Sequence, residues 1–161
     1  MPETTDRPTI YVETTVISYL CAEPSRDVVT AGHQQTTRDW WESRARFHLC
    51  ASQLVREEAA AGDASAASKR LVSLEQIGSL EVTEEAVTFA DILVRKGVVP
   101  ESSSADALHI AIAVAAGCEY LVTWNYRHMA NAVLRLGIED CCREQGYEPI
   151  VICTPEELME E

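Results

Sequence analysis

No stretch of this chain is long and apolar enough to cross a bilayer. Its start, Met-Pro-Glu-Thr-Thr-Asp-Arg-Pro, lacks the apolar segment of a secretory signal. A soluble cytoplasmic protein is the expectation. Glycine is sparse: the seven glycines are all isolated, so neither G-x-G-x-x-G nor a P-loop occurs, and the common nucleotide-binding folds are set aside. The six cysteines (Cys21, Cys50, Cys118, Cys141, Cys142, Cys153) form no C-x-x-C pair. His33, His48, His109 and His128 stand at no zinc spacing from them. Buried reduced thiols acting as small hydrophobes are expected instead. Positive charge is scarce as well, with 13 Lys and Arg against 26 Asp and Glu and a net charge of −13. That excludes broad electrostatic adhesion to nucleic acid, which needs clustered cations. It leaves a compact acidic pocket that recruits cations, an acidic surface covered by a basic partner, or plain solvation.

What is present is enough for one domain over 1–161: 161 residues, 47% of them apolar. Residues 1–8 read as a flexible N-terminus and 154–161 as an acidic tail or helix. Between them, β-branched apolar runs alternate with helical patterns, the mark of a parallel sheet flanked by helices. Strands are expected at 9–12, 47–51, 80–82, 120–123 and 149–152. Helices are expected at 16–20, through Trp40 and Trp41, at 53–61 after a Ser52 cap, at 65–77, from Thr83 to Gly97, and at 105–116. Two more are expected at 128–136 and 138–146. The 105–116 helix is apolar on every side, so it should be largely buried.

The acids fall at telling places in this pattern. Glu13 directly follows the first strand. Glu57 and Glu58 lie in the helix after the second. Asp106 opens the apolar helix, and Asn125 lies two residues past the strand at 120–123. In a parallel sheet the carboxyl ends of the strands share one edge, where ligand sites form. Carboxylates gathered there repel one another unless a hard divalent cation takes their oxygens. Each residue has a plainer reading beside this one. Asp106 could favour the helix dipole behind a Ser103 cap, Glu13 could assist the next helix start, and Asn125 could be a cap. Glu57 and Glu58 point about 100° apart on a helix, so one at most faces such a site.

Together the segments Ile10-Tyr11-Val12-Glu13-Thr14-Thr15, Ser52-Gln53-Leu54-Val55-Arg56-Glu57-Glu58-Ala59, Ala105-Asp106-Ala107-Leu108-His109-Ile110-Ala111-Ile112-Ala113 and Leu121-Val122-Thr123-Trp124-Asn125 resemble the PIN-domain family. Within it they are most similar to the VapC-like toxins of bacterial type II toxin–antitoxin pairs. The likeness spans nearly the whole chain. It implies an α/β three-layer sandwich with a mostly parallel, twisted central sheet, and a magnesium- or manganese-dependent endoribonuclease. It assigns Glu13 and Asp106 as principal metal ligands. Glu58, on the register of the motif, becomes a ligand or an orienter of the attacking water. Asn125 would hold a second metal or its water. An RNA substrate, a cognate antitoxin and a homodimer come with the resemblance. Two departures stand out: Glu13 occupies a position usually held by Asp, and Asn125 carries no charge. They keep open a PIN domain with weak or no catalysis, acting as an RNA- or protein-binding module. An aspartyl phosphoryl-transfer enzyme is disfavoured, since no Asp follows the first strand.

Other residues invite a reading. One of Trp40 and Trp41 is expected in the core, the other over a partner groove or a base. Arg38, Arg44 and Arg46 form a small basic face or are simply solvated. Arg127 and His128 lie at the rim of the acidic edge. His109, one turn after Asp106, reads more naturally as a hydrogen-bonded core histidine than as a ligand.

Overall fold

The computed structural model describes residues 6–159. Residues 1–5 of the expected flexible start and 160–161 of the expected acidic tail lie outside the described residues. The elements run β1 (Thr9–Val12), α1 (Thr14–Cys21), α2 (Val28–Glu42), β2 (His48–Ser52), α3 (Gln53–Ala59), α4 (Ala64–Leu74), β3 (Gly78–Leu80), α5 (Glu84–Arg95), α6 (Ser104–Ala115), β4 (Tyr120–Val122), α7 (Ala132–Glu144) and β5 (Val151–Cys153). The five strands form one parallel sheet in the order β3-β2-β1-β4-β5. This is the expected PIN-like α/β architecture. Helices α1 to α4 pack among themselves, as do α5 and α6. Right-handed crossovers put the first group on one face of the sheet and the second, with α7, on the other.

The order of strands matters most for function. From β1 the chain steps outward to β2 and β3, then returns to the other side of β1 for β4 and β5. The switch between the two directions opens a crevice at the carboxyl ends of β1 and β4, the place where such sheets bind ligands. Glu13 leaves β1 there, its backbone N–H still donating to Val122 O at 3.1 Å.

Local chemistry accounts for most boundaries. Asp27, Ser52, Asp63, Thr83 and Asn131 each accept a backbone N–H of the first turn that follows. Gly97 and Gly117 adopt φ of +72° and +75° just past α5 and α6, a conformation that costs other residues more. In α6, His109, Ile110, Ala111, Ile112, Ala113 and Val114 are all buried in sequence, as its all-round apolar pattern requires.

Several expectations are corrected. One helix, Ala132–Glu144, replaces the two placed at 128–136 and 138–146. Gly137 interrupts the apolar pattern, yet it sits within the helix where a Cβ would already touch Val98 Cγ1 at 3.4 Å. The third strand covers 78–80 rather than 80–82. Gly78 starts this strand, close to Leu49 O of β2. The last strand is 151–153, and Pro155–Leu158 form a short 3-10 turn in place of a tail helix. Trp40 and Trp41 are both buried, so neither covers a groove. Arg44 stacks over the Trp41 ring and Arg46 over the Phe47 ring, and both also bind backbone carbonyls. They serve the packing of this corner rather than a basic face.

Candidate metal centre

Glu13 is the N-cap of α1 and only 4% exposed. Its Oε2 accepts from Thr15 N at 3.0 Å, Thr15 Oγ1 at 2.5 Å and Thr123 Oγ1 at 2.8 Å. The two hydroxyls are themselves held from β4's exit. Trp124 N donates to Thr15 Oγ1 at 2.9 Å, and Asn125 N donates to Thr123 Oγ1 at 2.9 Å. One carboxylate oxygen is thus fixed by both sides of the crevice, while Oε1 has no hydrogen bond among the described residues. Burial pushes the Glu13 pKa up, against the opposing pull of His109 and of the Thr15 and Thr123 hydrogen bonds. The helix-start reading of Glu13 and the site reading are therefore both satisfied, by different oxygens.

Glu58 is held from a second direction. Its Oε1 accepts from Thr14 Oγ1 at 2.6 Å and pairs with His109 Nε2 at 2.6 Å. Burial alone would raise its pKa, but His109 and Thr14 outweigh burial and leave it below the ordinary value. An ionised Glu58 requires a proton on His109 Nε2. A neutral ring would then leave Nδ1 as an acceptor for the Tyr11 hydroxyl, 2.7 Å away. Burial raises the Tyr11 pKa strongly, so the phenol keeps its proton to donate. Tyr11 Oη in turn lies 2.7 Å from Ser52 Oγ, which accepts Val55 N at 3.3 Å. With that tautomer the whole chain is satisfied in one direction: Val55 N–H to Ser52, Ser52 O–H to Tyr11, Tyr11 O–H to His109, His109 N–H to Glu58. Sequence reasoning gave Tyr11 and Ser52 no part in the site. Both strands end in consecutive buried residues, so no alternation marks Tyr11 or Ser52 as belonging to the site.

Glu13, Glu58 and His109 offer donor atoms within 4.8 Å of one another. His109 is buried and both ring nitrogens are engaged, so the free donors of this group are the carboxylate oxygens. Glu57 turns the other way and lines a mixed groove, with Gln53, Ser79 and Glu81 beside Leu54, Leu80, Val82 and Leu108.

Asp106 stands beside this group rather than within it. It is half-buried in the first turn of α6, and the expected Ser103 side-chain cap is absent. Burial raises its pKa; His109, His128 and a hydrogen bond from the Asn125 side chain oppose that, and the Glu58 charge adds to it. The acid most withdrawn from water is accordingly Glu13, not Asp106. Asn125 Oδ1 accepts His128 N at 3.0 Å, which leaves its amide for Asp106. All four sequence candidates meet at the same edge, with Glu57 excluded by direction. The oxygen donors are hard, and burial and like charge make their joint ionisation costly, which a divalent cation relieves. The residues present fit such an ion.

Neither a protein-family profile nor a curated protein sequence matches the chain. Solved structures do match. VapBC2 from Rickettsia felis, bound to a DNA fragment from its promoter, aligns with a TM-score of 0.57 at 13% identity, covering 91% of this chain and 98% of that one. VapC20 from Mycobacterium tuberculosis, a sarcin-ricin loop cleaving toxin, aligns with a TM-score of 0.53 at 16% identity, covering 73% of this chain and 91% of that one. The shared property at these identities is the fold.

Proposed function

We propose that the protein is a divalent-metal-dependent endoribonuclease, the toxin of a toxin–antitoxin pair. The observation that carries this reading is the meeting of Glu13, Glu58 and His109 at the switch crevice, with Asp106 alongside. The fold shared with VapBC2 and VapC20 supports it. Glu13, Glu58 and Asp106 would hold Mg2+ or Mn2+. The ion would supply charge stabilisation at the scissile phosphate and a more acidic water. The chain's own part is positional. Thr15 and Thr123 fix Glu13, Thr14 and His109 fix Glu58, and Asn125 steadies Asp106. An antitoxin segment would lie across the acidic edge, where the neighbouring groove lined by Leu54, Leu80, Val82 and Leu108 offers apolar contact. A homodimer belongs to the same reading.

The deciding experiment is regulated expression of wild type and Asp106→Asn, with RNA integrity followed alongside growth. Growth arrest with RNA cleavage in wild type alone is expected. A purified protein that gains no thermal stability from Mn2+ and cleaves no RNA would be the binding module instead.

A further inference from the structure

We propose that the exposed ring of Tyr126 is a stacking platform for a base of single-stranded nucleic acid. The proposal deepens the nuclease reading and rests on it for the identity of the strand. Tyr126 follows Asn125 at the rim of the acidic crevice and is 46% exposed, alone in its exposure among the described Phe, Trp and Tyr side chains. Its ring does not hang free. It leans on Trp124 at 6.0 Å and on His33 at 5.9 Å between centroids. Trp124 and His33 are stacked at 4.2 Å with planes 15° apart, and Tyr19 stacks on both.

This backing is anchored as well as apolar. Trp124 Nε1 donates to Thr37 Oγ1 at 2.7 Å, and Thr37 Oγ1 donates to His33 O at 2.6 Å. The Trp124 backbone N–H binds Thr15 Oγ1, the hydroxyl that holds Glu13. The aromatic ladder and the acidic centre are therefore joined through Trp124 and Thr15, and a ring packed against such a backing loses little entropy when a base covers it.

Electrostatics says why such a platform is needed. A chain of net charge −13 gains little from phosphate contacts at large. At the crevice His109 is engaged with Glu58, and His128 faces Asp106. Arg127, one residue beyond Tyr126, is exposed and has no hydrogen bond or ion pair among the described residues. Glu156 and Glu157 lie close enough to Tyr126 to add to the effect of burial on its phenol. They disfavour a phosphate at this spot but not the face of a base. Stacking is the contact that works beside carboxylates, because every base has a π-face and needs no cation to use it.

The test is fluorescence anisotropy with labelled oligoadenylates of about 12 nucleotides, as RNA and as DNA, with Ca2+ in place of Mg2+. Tyr126→Ala should weaken binding by about 5- to 100-fold. Tyr126→Trp should stay within about twofold of wild type, and thermal melts should show both variants folded. The RNA and DNA arms tell whether the sugar matters beyond the base. Binding by Tyr126→Ala equal to wild type, or no binding by wild type, overturns the platform. RNA cleavage is measured in parallel. Cleavage with no effect of Tyr126→Ala on KM sinks the platform and leaves the nuclease standing. Binding that depends on Tyr126 without cleavage does the reverse.

Discussion

Tyr11→Phe tests the reasoning about the site at its deepest point. The substitution removes one oxygen and two hydrogen bonds of 2.7 Å, from a residue with no exposed surface. His109, itself 1% exposed, keeps an Nδ1 with no donor, a loss of about 1–3 kcal/mol. The Ser52 hydroxyl loses its acceptor, for about 1 kcal/mol more. The sum is about 2–4 kcal/mol. At about 2–4 °C per kcal/mol for a domain of this size, the melting midpoint should fall by roughly 4–16 °C. Every carboxylate remains, so a second effect separates positioning from mere stability. If His109 orients Glu58 through its other nitrogen, loosening His109 should weaken Mn2+ binding by about 10- to 100-fold. Urea denaturation measures the first quantity and metal titration the second, and a Tyr11→Phe, Ser52→Ala double-mutant cycle should show coupling of at least about 0.5 kcal/mol. An unfolding free energy within about 0.5 kcal/mol of wild type, with an unchanged Mn2+ midpoint, would refute the directed chain.

Glu13→Gln tests the buried acid. Burial raises the folded pKa above the ordinary 4.5, so the folded state holds this proton more tightly than the unfolded chain. Its contribution to stability is complete below that value and is lost as pH rises through the folded pKa. Gln keeps an oxygen for Thr15 and Thr123, so metal-free Glu13→Gln should lose less stability than wild type on going from acid to neutral pH, as read by urea melts. The variant should also lose the Mn2+ gain. Glu58 has the opposite sign. His109 and Thr14 hold its pKa down despite burial, so its contribution is present above 4.5 and is lost as pH falls through the folded value. Glu58→Gln should destabilise the protein near neutral pH and cut RNA cleavage by at least about tenfold. Glu57→Gln should change neither, and an equal loss in the two variants would put the register of α3 in error.

The sequence by itself determined the class of fold and the edge on which the chemistry collects. Alternating strand and helix patterns force a parallel sheet, and acids placed just after strands share one edge of it whatever the strand order. The Ser52 cap, the helix start at Thr83 and the stop at Gly97 are legible in the sequence because their hydrogen bonds and φ angles are local. The helix break expected between 136 and 138 and the late start expected for the third strand fail for a different reason: Gly137 and Gly78 answer to neighbours far along the chain, Val98 in one case and Leu49 O in the other. The same divide runs through the site. That a carboxylate comes from residues 57 and 58 could be read from the motif; that Glu58 faces Glu13 while Glu57 faces a groove depends on how α3 rolls against its neighbours. The apolar pattern of 105–116 makes the helix as a whole read as buried, but burial is decided by depth in the layer, and the first turn of α6, with Asp106, reaches the surface. Tyr11 and His109 lie 98 positions apart and meet only when β1 and α6 pack. The direction of the hydrogen-bond chain between them is a property of that packing, and no periodicity in either segment encodes it.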